Sequence, residues 1–232
     1  MNVIKAGNQI LKKHSDYDID LLKILRRVPT TILGDSMHRM QGVDADIYSM
    51  NNVKFVGVAF TVRVPEGDNL FIHEALEMID KHDVLVVSSI GKCKRALIGE
   101  LMIRTAQMKD VSGIVVDGYI RDLQFIQSLK TLGVYARGTS LNGPFKNGPG
   151  EINVPVAIGC QVICPGDYIC ADENGIVVIP QNEIRAVIDK SIEIMNEEEK
   201  IKSQISQGIY RKEWKEKKIL GINPFLKNHK RK

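Results

Sequence analysis

The chain has 232 residues, a formal net charge of +4, 44% hydrophobic and 26% charged residues. That is the balance of an ordinary globular protein, neither disordered nor fibrous, and it can bury a proper core as one large domain or two small ones. No apolar run approaches the roughly 18 residues of a membrane span, and Met1-Asn-Val-Ile-Lys5 lacks a signal-peptide core, so a cytoplasmic protein with no membrane partner is expected.

In chain order, Asp18 to Val28 carries Ile19, Leu22 and Leu25 at helical spacing. Pro29-Thr30-Thr31 is expected to break that helix, with a second short one starting at Gly34-Asp35-Ser36. Val53 to Pro65 alternates as a strand does, with Phe55, Gly57, Ala59 and Thr61 on one face. A helix over 69–81, a buried strand over 82–89, a basic loop over 91–95 and a helix over 97–108 follow. Gly113-Ile-Val-Val-Asp-Gly-Tyr-Ile120 then reads as a short buried strand, running through Arg121 into a helix over 122–130, and Gly133 to Gly138 as another strand. Strand–helix units in succession predict parallel strands joined by right-handed crossovers.

From Ser140 the texture changes. Asn142 to Gly150 is rich in turn formers and should be an irregular surface loop. Short strands are expected at 154–158, 162–163, 168–171 and 176–179, then a long helix over 181–208 ending at a glycine. No linker or repeat divides this core, so one α/β domain over residues 1–210 is the simplest reading, followed by a basic tail over 211–232. Such a tail is a possible contact for nucleic acid, although charge runs are more often solvated ends.

Cys160, Cys164 and Cys170 lie in strand-like segments and read as small core residues, with no C-x-x-C pair to suggest zinc. Cys93 stands among Lys92, Lys94 and Arg95, which would favour a thiolate, but no histidine is near in sequence to serve as its base. Lys92 or Lys94 as a Schiff-base lysine would have to lose its proton in a wet loop. His14, His38, His73, His82 and His229 show no metal-ligand spacing. The glycine loop at 143–150 lacks the G-K-[ST] ending of a phosphate-binding loop.

Arg121-Asp122 is the more informative pair. It sits at the carboxyl end of a buried strand, where open α/β sheets place their ligands. Gly99-Glu100 opens the preceding helix, whose N-terminus favours a carboxylate or phosphate. Glu100 would repel such an anion unless a cation lay between them. Glu100 and Asp122, beyond strand ends in consecutive units, can converge on Mg²⁺ or Mn²⁺ with water completing the shell. The bland alternative is a dipole-favoured glutamate and an exposed ion pair.

The segments Gly99-Glu-Leu-Met102, Gly113 to Asp122, Ala136-Arg-Gly-Thr-Ser140, Gly148 to Pro155 and Pro165 to Pro180 together resemble the RraA-like family. That family includes 4-hydroxy-4-methyl-2-oxoglutarate / 4-carboxy-4-hydroxy-2-oxoadipate aldolases. The resemblance implies an α/β/α sandwich like the swivelling phosphohistidine domains, assembled as trimers or pairs of trimers. It implies that Asp122 binds a divalent metal, that Glu100 acts on it through water and that Arg121 holds substrate and serves catalysis. Backbone N–H groups around Gly99, Leu101 and Met102 would take the carboxylate of a 2-oxo acid. A glutamate from a neighbouring subunit completes the site in those aldolases, and Glu197, Glu198 and Glu199 occupy the matching region here. The implied activity is a metal-dependent carbon–carbon lyase releasing pyruvate, with oxaloacetate decarboxylation by the same enolate chemistry. Relatives that regulate ribonuclease E lack part of this residue set, so the alternative is a binding protein for an RNA-processing partner.

Overall fold

The computed structural model describes residues 5–13, 17–91, 94–212, 215, 218 and 222. Strand β1 is Gln9–Ile10, helix α1 Ile19–Leu25, and helix α2 Thr30–Ser36. Asp18 caps α1 by accepting from the Asp20 N–H. Pro29-Thr30-Thr31 begins a helix and does not merely end one, so the second helix starts four residues before the expected Gly34. The reason is tertiary. Proline's fixed φ suits the entry to a helix, and the Asp172 carboxylate accepts from Thr30 N (3.0 Å) and Thr30 Oγ1 (2.6 Å).

Next come β2 (Tyr48–Ser49), β3 (Phe55–Val64), α3 (Leu70–Met78), β4 (Asp83–Ser89), β5 (Ala96–Ile98) and α4 (Glu100–Met108). They are followed by β6 (Gly113–Ile120), α5 (Leu123–Ser128) and β7 (Gly133–Thr139). The chain continues through β8 (Glu151–Ile152), β9 (Val156–Ile158), β10 (Gln161–Ile163), β11 (Tyr168–Asp172) and β12 (Gly175–Ile179). A 3₁₀ turn at Gln181–Glu183 leads into α6 (Ile184–Ser206).

The main sheet runs β1-β8-β3-β4-β6-β7-β2, and β3, β4, β6 and β7 pair in parallel as the strand–helix alternation predicts. β3 is long enough to hold two partners on one edge: β11 antiparallel along its first half and β8 along its second. The fold class is therefore α/β.

Side-chain alternation splits the core. Phe60, Val62, Leu85, Val87, Ile114, Val116 and Val134 face α3, α4 and α5, meeting Ile72, Leu76, Ile103 and Ile126. Their neighbours Ala59, Val84, Val86, Val115 and Tyr135 face the other way and meet Val156, Ile158, Ile163, Ile169 and Val178. Both faces of the central strands are thus buried, which is why they read as continuous apolar runs.

The chain divides into two compact units, Met1–Ser191 and Ile192–Lys232, with the boundary inside α6. In the second, Lys202 pairs with Glu198 (3.9 Å) and Glu199 (2.7 Å) along the helix. No helix among the described residues is long and apolar enough to cross a membrane.

Candidate active site

Strand β6 ends at Ile120, and Arg121 N donates to Ile98 O (3.0 Å) on β5, which fixes where the next two side chains emerge. Asp122 then adopts a left-handed backbone, φ 64° and ψ 43°, a conformation aspartate tolerates better than most residues. That turn carries its carboxylate back to the start of α4, where Oδ2 accepts from Glu100 N at 2.8 Å. The Arg121 Nε lies 3.7 Å from the same Oδ2. Both side chains are substantially exposed, at 49% and 40%, so neither charge is locked in the interior.

Glycine makes this approach possible. A Cβ built on Gly99 would stand 2.5 Å from Asp122 Oδ2 and 3.0 Å from Arg121 Nε, closer than a side-chain carbon can come without displacing the pair. Gly99 is the N-cap of α4 and leaves the helix without a side-chain cap. The first-turn N–H groups of Leu101 and Met102 have no acceptor among the described residues, the usual state of a helix N-terminus. The Leu101 side chain is 80% exposed, whereas Met102 is buried.

Glu100 begins α4 beside Asp122, but its carboxylate turns along the helix. Arg104 grips Oε1 from Nη2 at 2.7 Å and Nε at 2.8 Å, and its guanidinium lies over the Phe125 ring at 4.4 Å. Exposed i,i+4 pairs of this kind are worth only about 0.3–0.5 kcal/mol, so a competing ligand can release Glu100 cheaply. Asp122 Oδ1 has no protein partner among the described residues. No set of three His, Cys, Asp or Glu converges as a metal cluster among them either. An exposed carboxylate with a free oxygen and a second carboxylate nearby fit a hydrated Mg²⁺ or Mn²⁺, which keep several waters and need few protein ligands. Glu197, Glu198 and Glu199 belong to the second unit and are described only within it.

A roof over the site comes from the turn-rich loop, expected from its composition to be irregular surface. Gly143 is close enough to Arg121 that a Cβ there would stand 3.0 Å from Nη1. From the other side, Arg95 Nη1 donates to Gly143 O at 2.8 Å and its guanidinium lies 4.3 Å over the Phe145 ring. The loop is pinned by buried Asp68, which accepts from Asn147 N (2.6 Å) and Gly148 N (3.1 Å), and by Ala96 N donating to Asn142 O (2.8 Å). Asn69 joins roof to helix: its N–H donates to Phe145 O (3.0 Å), while Nδ2 donates to Leu97 O (2.9 Å) and approaches Met102 Sδ (3.4 Å). None of these contacts has a sequence signal beyond the glycine itself, because they join segments dozens of residues apart.

A separate cavity lies elsewhere. It measures about 810 Å³ and is lined by Arg26, Thr30, Phe55, His82, Cys170 and Asp172 among others, at the amino ends of the strands. Of the cysteines read as core residues, only Cys170 is buried; Cys160 and Cys164 are exposed. The cause is local: Cys160 occupies the β9–β10 turn with φ 68°, and Cys164 follows the end of β10. Burial pushes the Cys170 thiol well up, with Asp172 adding to it, the surroundings of a structural cysteine. Cys93, Lys92, His14 and His229 lie outside the described residues. Burial, with Lys146 for His73 and Lys81 and Arg26 for His82, lowers the proton affinity of both rings.

A family model described as RraA-like, Aldolase/RraA, matches residues 30–178. A Halalkalibacterium halodurans protein provisionally named 4-hydroxy-4-methyl-2-oxoglutarate aldolase is 34% identical over 196 residues, covering 84% of this chain and 93% of its own. Among solved structures, Streptomyces coelicolor RraAS2, titled an unusual member of the RNase ES inhibitor RraA family, superposes with TM-score 0.71 at 26% identity. It covers 80% of this chain and 97% of its own. The RNA-processing inhibitor RraA from Thermus thermophilus gives TM-score 0.61 at 28% identity over 67% of this chain and 94% of its own.

Proposed function

The chain belongs to the RraA-like family, and from that premise we propose that it is a carbon–carbon lyase cleaving a 4-hydroxy-2-oxo acid to release pyruvate. The observation that carries the proposal is the Arg121-Asp122 pair, folded back onto the N-terminus of α4 against Gly99. Aldolase names among relatives spanning most of the chain support it.

In this reading the substrate's 2-oxo acid carboxylate takes the first-turn N–H groups of Leu101 and Met102, aided by the helix dipole. The C4 hydroxyl gives its proton to a base and the C3–C4 bond breaks. Its electron pair moves onto C3, leaving a carbonyl fragment and the enolate of pyruvate, which a proton at C3 then converts to pyruvate. Arg121 opposes the negative charge that grows on the enolate oxygen, an effect worth roughly 10²–10³-fold for a single well-placed donor. Glu100, once released from Arg104, moves protons through water. Asp122 directly, and Glu100 through water, would hold Mg²⁺ or Mn²⁺. When bound, that ion would act as a Lewis acid toward the 2-oxo group. The same enolate would form on decarboxylation of oxaloacetate, which we propose as a second activity. Because RraA-like aldolases are trimeric or hexameric, glutamates 197–199 of one copy are proposed to serve a neighbour's site.

The test is pyruvate release from 4-hydroxy-4-methyl-2-oxoglutarate and from oxaloacetate, with Mg²⁺, with Mn²⁺ and with EDTA. Metal-dependent release is expected from both; absence of release from every substrate under all conditions overturns the proposal. A second reading, docking on an RNA-processing enzyme, is favoured by the two RraA neighbours titled as inhibitors. It requires salt-sensitive capture of such an enzyme or of RNA, lost on deleting residues 211–232.

A further inference from the structure

The basic loop before β5 is a feature the proposed reaction does not use. Of its charged side chains that are described, Lys94 is exposed while Arg95 is half-buried and turned onto the roof of the site. Arg95 stacks on Phe145 and spends one N–H on Gly143 O. It has no ion pair, and its remaining N–H groups have no acceptor among the described residues. A guanidinium held flat by a ring and a carbonyl has already lost much of its rotamer freedom, so a further hydrogen bond costs it little entropy.

Position gives this meaning. Arg121 Nη1 approaches Gly143 on the same short loop that Arg95 holds, so two guanidiniums from segments 26 positions apart flank one glycine. Arg121 is balanced by Asp122; Arg95 has no counterion among the described residues. The site therefore offers an anion two separate places: the Leu101 and Met102 N–H groups in the first turn of α4 and the face of Arg95. A single small carboxylate can use one of them. A molecule with a carboxylate at each end can use both.

Resting on the lyase reading above, we propose that Arg95 is the specificity-determining residue that selects substrates bearing a second, distal carboxylate. The acid at the 2-oxo end sits on α4, Arg121 lies beside the bond that breaks, and Arg95 takes the acid beyond C4. Its rigid stack on Phe145 measures the length of the substrate as well as its charge. Charge-assisted hydrogen bonds to carboxylate are the strong class, so the preference is sizeable.

Two matched substrates test it: 4-hydroxy-4-methyl-2-oxoglutarate, and 4-hydroxy-4-methyl-2-oxopentanoate, in which a methyl replaces the distal carboxylate. Wild type should favour the diacid. Arg95→Met should raise KM for the diacid about tenfold with kcat nearly kept, leave the monoacid within about twofold, and be partly rescued in Arg95→Lys. Equal losses on both substrates would mean that Arg95 only pins the roof; no loss on either would mean that it faces away from substrate. Both outcomes overturn the proposal. If wild type cleaves neither substrate, the lyase reading fails on its own, and Arg95 is judged by calorimetry with 2-oxoglutarate against 2-oxopentanoate. A diacid advantage that vanishes in Arg95→Met upholds the selection. An unchanged advantage, or binding of neither acid to wild type, overturns it.

Discussion

Two charged clusters at opposite ends of the parallel strands are held in opposite ways. At the amino end, Asp83 is 2% exposed and tied to Lys13 Nζ at 2.7 Å and to Asp80 N at 2.7 Å. Asp172 there accepts from Thr30 N, Thr30 Oγ1, Asn174 N and Asn174 Nδ2. At the carboxyl end, Arg121 and Asp122 are half-exposed with one loose ion pair between them, and Arg95 has no counterion among the described residues. Charges saturated by protein partners are committed to folding, because buried carboxylates need every bond they can find. Charges left half-satisfied can meet a ligand. The cavity at the amino end is lined by Asp172, already satisfied by Thr30 and Asn174, together with Arg26, Arg27 and Lys81.

Substitutions can break that contrast in order of expected size. Lys13→Met leaves the Asp83 carboxylate buried without its cation and should cost about 3 kcal/mol of stability, the low end for breaking a buried pair, with activity per folded molecule unchanged. Burial already raises the Asp83 pKa, with Lys13 opposing. In the variant the deficit is therefore present above the raised pKa and shrinks as pH falls through it, as urea titrations at pH 5 and 8 would show. Arg121→Ala and Asp122→Ala should each lower kcat by at least about 10²-fold, with the melting temperature unchanged in Arg121→Ala and lowered in Asp122→Ala only by the few degrees that alanine costs on a left-handed backbone; retained turnover in both would erase the distinction between the two ends.

Asp172→Ala should cost about 2 kcal/mol, since buried Thr30 donors lose their acceptor. Burial pulls the Asp172 pKa up, but bonds from Thr30 and Asn174 pull it further down, below the ordinary carboxylate value. Its contribution is thus present above the unfolded pKa and lost as pH falls through the lower folded one, so Asp172→Asn should flatten the acid limb of a stability–pH curve. The smallest effect should come from Gly143→Ala, whose Cβ would nudge Arg121 Nη1 at 3.0 Å. A flexible side-chain end can yield, so kcat/KM should fall only about threefold, less than 1 kcal/mol, with stability unaltered.

How much of this was legible beforehand follows from the range of the forces involved. The apolar runs of β3, β4, β6 and β7 are local signals, and so is the helix at 184–206. The two-residue strands β1, β2 and β8 are defined only by the partner they lie against, and no periodicity fits in two residues. Arg121-Asp122 and Gly99-Glu100 stand out because glycine and charge mark strand ends. The Arg95–Gly143–Phe145 arrangement was invisible, since it depends on a loop closing over a span of 48 residues. Cys160 and Cys164 misled because a turn and a strand end look apolar in a window of five.

The left-handed backbone at Asp122 turns one position into a ladder of separable experiments. Asparagine there keeps the dihedral and the shape but discards the negative charge. Glycine keeps the dihedral alone, and alanine, which pays roughly 1 kcal/mol or more for that conformation, gives up everything. Comparing the three would divide the worth of this residue into geometry, hydrogen bonding and charge, a partition that few aspartates on ordinary backbone permit.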